Sequence, residues 1–336
     1  TGVDDIISDG HREYQASLST GDPSDHGTGS GSGSSRSTVA TQPPLQNTGS
    51  SYNATSNKYV VSTLGHLSYI AQNTSFWAYN FIQTADIDAT VTKYWDDADD
   101  AGGVTGDRYN DDNDATSTGN NEGFLPIGNS STIFTGEYDG AGYSISGLTI
   151  KRTSTQKVGL FGDTSGATIR NLGVTNDNIT GKLRTGSLVG YSKNSIIDNC
   201  SASGSVTGER YLGGLVGDLR NGSILRNSYS TASVVGSLYY IGGLAGYFYS
   251  GTILNSYSTG SLLATNNSYS HNYSGGLVGY KNSGSTITDS FYDNTTSGQS
   301  DTGKGTGKTT AQMKTLATFT DTATTGLSTS WDFDTI

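Results

Sequence analysis

The residues most able to do chemistry in this sequence are its aspartates, its four histidines, one lysine-bearing glycine run and its tyrosines. The densest acidic group is Asp96, Asp97, Asp99, Asp100, Asp107, Asp111, Asp112 and Asp114, in a Gly-rich loop over residues 96–122. Carboxylate oxygens at that density suit a hard cation, so this loop is the calcium candidate. It lacks the Asp-x-Asp-x-Asp-Gly order of a dedicated calcium loop. Asp86 and Asp88 share one strand face. Such a pair binds calcium or acts as acid and base in polysaccharide-cleaving β-helices. The favoured reading is that both carboxylates bond to neighbouring backbone at a coil corner.

The histidines are His11, His26, His66 and His271, and none lies in a His-Glu-x-x-His pattern. Residues 303–309 (GKGTGKT) imitate a phosphate loop, but the first glycine of that motif is replaced by Thr302 and no hydrophobic strand precedes it. This run reads as a flexible basic turn. Among the tyrosines, Tyr191, Tyr247 and Tyr280 each follow a Gly-Leu-x-Gly glycine or its variant, while Tyr229 and Tyr257 lie 28 residues apart. An exposed aromatic ladder binds sugar rings or a partner surface. The same rings also serve in ordinary cross-coil stacking, and both readings stay open. No catalytic residue is expected, and no cofactor beyond calcium.

The element that would position these groups is a repeat. The tetrapeptide recurs at 159–162, 187–190, 214–217, 243–246 and 276–279, its leucines 28, 27, 29 and 33 residues apart. A stricter register runs between them. Ile169, Ile197, Leu225 and Ile253 fall 28 apart, as do Asn171, Asn199, Asn227 and Asn255; Ile287 follows after 34. A unit this short leaves no room for a βαβ crossover, and its β-branched runs broken by Gly and Asn favour one coil of a solenoid per repeat. The expected fold is therefore all-β, a right-handed parallel β-helix with coils of about 28 residues. Equal positions stack at about 4.8 Å. The Ile/Leu positions then form an internal stack, and the asparagines a corner ladder in left-handed backbone.

Composition agrees. The chain of 336 residues has 47 glycines and only 32% apolar residues, which suits a thin core repeated many times. A net charge of −11 argues against nucleic acid and anionic lipid as partners. The single Cys200 excludes an internal disulfide framework. No segment approaches 18 apolar residues, so no membrane-spanning segment is expected. The start at Thr1, without initiator Met or signal peptide, reads as a processed mature end or an excised piece.

Four regions follow. Residues 1–56 form a low-complexity tail or linker and a candidate inter-subunit strand. Residues 57–130 form an N-terminal cap and first coils; there, 63–71 (TLGHLSYIA) predicts a short capping helix carrying His66, and 79–87 a strand. Residues 131–296 are the repeat β-helix, with a polar loop inserted at 264–273. Residues 297–336 form a C-terminal cap with a short helix at 310–318 and aromatic cover from Trp331 and Phe333. Sequons at Asn53, Asn178, Asn272 and Asn294 suit glycosylation outside the cell.

Taken in order, the helix, the ADID run at 85–88, the PIG run at 126–128, FTGEYDGAGYSISGLTI at 134–150, the Gly-Leu-x-Gly coils and the closing SGQS…GTGKTTAQM…WDF resemble the bacterial and archaeal surface proteins with GLUG repeats. The likeness spans roughly residues 59–333. It departs where Ser187 replaces the first glycine of one repeat, and where the chain stops at Ile336 soon after Trp-Asp-Phe. The resemblance implies a secreted or cell-surface protein with a β-helical stalk and an adhesive or filamentous role; one branch sits beside metallopeptidases that cleave immunoglobulin. The expected function is thus an extracellular structural or adhesive protein, not an enzyme, that self-associates into a fibre or surface assembly. The alternative is a β-helix that binds or cleaves polysaccharide, with glycans as partners.

Overall fold

The computed structural model describes residues 40–46, 57–95, 122–265 and 273–332. Short strands rich in β-branched residues lie parallel, each paired with its equivalent in the coil before and after. Tyr59, Phe81, Tyr138, Ile169, Ile197, Leu225, Ile253 and Ile287 fall opposite one another in succession. The aliphatic positions continue into three aromatics on the N-terminal side. All are buried except Ile287, which is half-buried. The five motif leucines, Leu160, Leu188, Leu215, Leu244 and Leu277, are fully buried in the same core.

The corner ladder also forms. Asn171, Asn199, Asn227, Asn255 and Asp289 all adopt left-handed backbone, with φ between 46° and 53°, where a short polar side chain costs least. The Asn199 amide donates to Asn171 Oδ1 at 3.0 Å, and Asn171 donates to Asp139 at 3.0 Å. The ladder is interrupted once: Asn227 turns to Asp198 Oδ1 at 2.9 Å instead of Asn199. A second column runs one residue further on. Ser228, Ser256 and Ser290 each accept the backbone N–H of the preceding coil and donate to a carbonyl two residues back. Cys200 heads this column in place of a serine, its thiol facing the carbonyls of Asp198 and Ile169.

Both ends of the described solenoid are covered. The predicted capping helix is Leu64–Gln72; Thr63 Oγ1 accepts the His66 N–H, and Leu64, Leu67 and Ile70 point inward. At the other end Phe291, Met313, Phe319, Leu327 and Trp331 form a separate apolar cluster. The expected strand at 79–87 is two strands, Phe81–Gln83 and Ile87–Asp88. The break follows the buried Gln83, whose amide donates to Ala85 O and Ser144 O. The 310–318 run gives two short helices, Thr310–Met313 and Ala317–Thr320.

The flexible basic turn expected at 303–309 is instead part of the cap. Thr306–Lys308 pairs with Phe291–Asp293. Lys304 Nζ donates to the Ser274 and Gly279 carbonyls, and Lys308 Nζ to the Thr325 carbonyl. Carbonyls left open at the last coil satisfy the ammonium groups and fix the segment. Among the described residues no helix is long and apolar enough to cross a membrane.

Candidate functional site

The Gly-Leu-x-Gly motifs carry two columns on the outer face, one three residues after the leucine in all five and one four residues before it in the last four. The later column is Asp163, Tyr191, Asp218, Tyr247 and Tyr280, in register across five parallel strands from Phe161–Ser165 to Val278–Lys281. The earlier column is Arg184, Tyr211, Tyr240 and Tyr273. It precedes the pairings Thr185–Leu212, Leu212–Ile241 and Ile241–Ser274 in a separate four-stranded sheet.

The second glycine of the motif brings the two columns together. A Cβ on Gly217 would lie 2.5 Å from the Arg184 carbonyl carbon, and one on Gly246 2.5 Å from that of Tyr211. Only a residue without a side chain allows two backbones so near. The motif is therefore a spacer that lets the two sheets meet and their outward side chains interleave.

The result is a continuous aromatic and cationic patch. Tyr247 stacks on Tyr280 at 4.8 Å and 9°. Tyr240 lies 5.1 Å from Tyr211, 5.0 Å from Tyr273 and 5.2 Å from Tyr280. The Arg184 guanidinium sits 5.3 Å from the rings of both Tyr191 and Tyr211, Arg220 4.8 Å from Tyr247, and Arg210 5.4 Å from Tyr239. Lys157 and Lys193 approach Tyr191 at 4.9 and 5.4 Å. All are within reach of cation–π attraction.

Beneath the rings lie two buried carboxylates. Asp218, 0% exposed, accepts from Arg184 Nε at 3.0 Å and Arg220 Nε at 2.9 Å. Asp163 pairs with Lys157. These ion pairs hold Lys157, Arg184 and Arg220 beside the rings. Burial pushes the Tyr240 phenol up to about 12, and neighbouring tyrosines reinforce the shift. Burial also raises Tyr191 and Tyr247. Tyr249 at 44% and Tyr273 at 36% are exposed.

Backbone conformation marks the earlier column further. Arg184, Tyr211 and Tyr240 have φ of 52°, 58° and 64°. Left-handed backbone costs a non-glycine residue about 1–2 kcal/mol. At the other left-handed corner the chain uses asparagine, the cheaper choice. Here, in three successive coils, it uses arginine and tyrosine.

The predicted site residues divide accordingly. Tyr191, Tyr247 and Tyr280 join the patch. Tyr229 and Tyr257 stack together elsewhere, at 4.9 Å and 4°, and Tyr257 runs into the C-terminal cluster beside Trp331 and Phe319. The calcium candidates Asp96, Asp97, Asp99, Asp100, Asp111, Asp112 and Asp114 lie outside the described residues, as do His11, His26 and His271. Asp86 Oδ1 accepts from the N–H and hydroxyl of Ser144, and Asp88 Oδ1 from the Thr90 N–H, the geometry of the backbone reading. His66 Nδ1 accepts the Ser62 N–H within the capping turn. Sequence reasoning missed Tyr211, Tyr240, Tyr273 and the arginines, although their fixed offset from each motif leucine was a readable signal.

Comparison with known proteins agrees with the repeat. The GLUG motif matches residues 182–207, which span the second coil. Halomucin of Haloquadratum walsbyi is 33% identical over 163 residues, 48% of this chain and 2% of halomucin. A protein of Evansella cellulosilytica, provisionally named a Gly-rich membrane protein, is 49% identical over 63 residues, 18% of this chain and 6% of that protein. The chain thus spans only a small fraction of either relative. A Bacteroides ovatus structure provisionally described as an immunoglobulin A1 protease aligns with a TM-score of 0.49 at 20% identity, over 70% of this chain and 66% of that one.

Proposed function

We propose that this GLUG-motif chain is a structural and adhesive module of an extracellular, cell-surface protein, with the tyrosine–arginine patch as its adhesive face. The observation that carries the reading is the left-handed backbone of Arg184, Tyr211 and Tyr240. Backbone strain kept in three coils, where asparagine would relieve it, points to a use for the outward side chains themselves. The ladders, the buried leucines and the two caps serve as the scaffold that holds them.

The patch is suited to binding rather than to turnover. Its buried carboxylates Asp163 and Asp218 are each held by cations, and at 1% and 0% exposure neither can reach a bound substrate. The surface location draws support from the Evansella relative's name and from the acidic composition. Self-association remains part of the proposal, with residues 1–56 as the inter-subunit strand and the four regions divided as their composition indicates.

Antibody labelling of intact, unpermeabilised source cells tests the location, and staining only after permeabilisation refutes it. Beads coated with the chain should be retained on surfaces that shed beads coated with an inert protein. Electron microscopy of the purified chain should show assemblies that disappear when residues 1–20 are deleted; unchanged assemblies would remove the tail from that role.

A further inference from the structure

Resting on that reading, we infer that the patch binds an anionic polysaccharide, a chain bearing uronic carboxylates or sulfates, laid along the solenoid axis. The chain as a whole carries a net charge of −11 with 19 lysines and arginines. Five of these cations, Lys157, Arg184, Lys193, Arg210 and Arg220, surround one group of rings. Concentration of positive charge against the trend of the molecule is the footprint of an acidic partner.

The cations are not equally committed. Lys157, Arg184 and Arg220 neutralise Asp163 and Asp218. Among the described residues Lys193 and Arg210 have no carboxylate partner; Lys193 rests on the Tyr191 ring, and Arg210 hydrogen-bonds to the Tyr239 hydroxyl. Arg210 Nε is buried with no acceptor. Burial without an acceptor is costly for that N–H, and a guanidinium with no carboxylate partner leaves its charge for an incoming oxygen. Two charges are thus left for a ligand while three hold the platform.

The aromatic geometry selects sugar over peptide. The rings repeat along the axis at 4.8–5.1 Å between coils, giving a ladder of subsites for a polymer with a repeating unit. Tyrosine edges and hydroxyls combine an apolar surface with hydrogen bonds, which matches a pyranose ring and its substituents. The patch offers no unpaired strand edge for an extended peptide, since its strands are paired on both sides through the inner coils.

Biolayer interferometry of the chain against immobilised polygalacturonate, dextran sulfate, neutral dextran and polyglutamate tests the inference. Binding is expected to polygalacturonate or dextran sulfate, and whichever is preferred separates carboxylate from sulfate. It should weaken as salt rises and fall about tenfold or more in the Lys193→Ala/Arg210→Ala double variant. Tyr249, the most exposed ring, stacks on Tyr247 at 6.2 Å and lies 5.7 Å from Arg220; Tyr249→Ala is the second variant and should weaken binding while leaving the melting temperature unchanged. Equal binding to neutral dextran, or to polyglutamate, overturns the inference, as does binding unaffected by both variants or no binding to either polyanion. If the coated beads still adhere while neither polyanion binds, the adhesive reading stands and the polysaccharide alone is lost.

Discussion

Asp177→Asn should make this protein more stable at neutral pH, although it removes an ionisable group. Asp177 sits at the bulge where the register of Ile196–Gly208 against Thr168–Gly181 shifts between Ala202 and Gly204. It is 3% exposed, and its Oδ1 accepts the Ser205 N–H at 3.2 Å. Burial pushes its carboxyl up from an ordinary 3.8 to about 8, with Ser187 and the Ser205 amide acting in the opposite sense. Between those values the folded chain binds more protons than the unfolded chain, so stability falls as pH rises. The contribution is fully present below about pH 4 and is lost towards pH 8. At pH 7 some three units of the shift are expressed, an upper bound of about 4 kcal/mol. Asparagine keeps the acceptor at Oδ1 and carries no proton to lose. Urea unfolding at pH 4, 5.5, 7 and 8.5 should show wild type weakening with pH and the variant level. The variant should lead by roughly 2–4 kcal/mol at pH 7. Parallel pH profiles with no lead at pH 7 would refute the reasoning, because they would mean that Asp177 is ionised in the folded state.

Four further outcomes follow from the packing. The Cys200 thiol, buried and pushed up to about 12 chiefly by desolvation, should resist an aqueous thiol reagent until the protein unfolds. Cys200→Ser should change stability by less than about 1 kcal/mol, since serine fills the same column in later coils. Leu225→Ala removes a fully buried side chain between Ile197 and Ile253, and chemical denaturation should register a loss of about 2–5 kcal/mol. Gly217→Ala would force a Cβ to 2.5 Å from backbone atoms of Arg184 and Thr185. It should lower the melting temperature and weaken whatever binds the patch, by parting the two sheets.

The solenoid was legible because its register is periodic in residue type. Ile169, Ile197, Leu225 and Ile253, with the asparagines two residues on, repeat at one spacing that only coil stacking explains. The earlier members of that stack were not legible. Phe81 and Tyr138 pair directly but stand 57 residues apart because the acidic loop intervenes, and aromatic replaces aliphatic. The lysines at 304 and 308 looked like a solvated turn because sequence gives no sign of the open carbonyls they meet. The patch was half visible. The tyrosines after the motif drew attention, whereas Arg184, Tyr211 and Tyr240 differ in type and lie in another sheet, so only the close approach at the glycines unites them.

Ser187, the one departure from the motif's first glycine, has a local cause. A Cβ on Gly214 would meet Ser230 Oγ at 2.1 Å, and one on Gly243 would meet Ser258 Oγ at 2.1 Å. In the Ser187 coil the residue in register with Ser230 is Ala202, which leaves room for a side chain.

The claim that the patch is kept for use and not for stability is tested most directly by the Tyr211→Asn/Tyr240→Asn variant, measured for both unfolding and bead retention. Asparagine suits left-handed backbone, so the account predicts no loss of folding stability beyond that of the ring contacts, about 1 kcal/mol for each ring pair, together with loss of retention. Full retention by a variant that folds normally would contradict it.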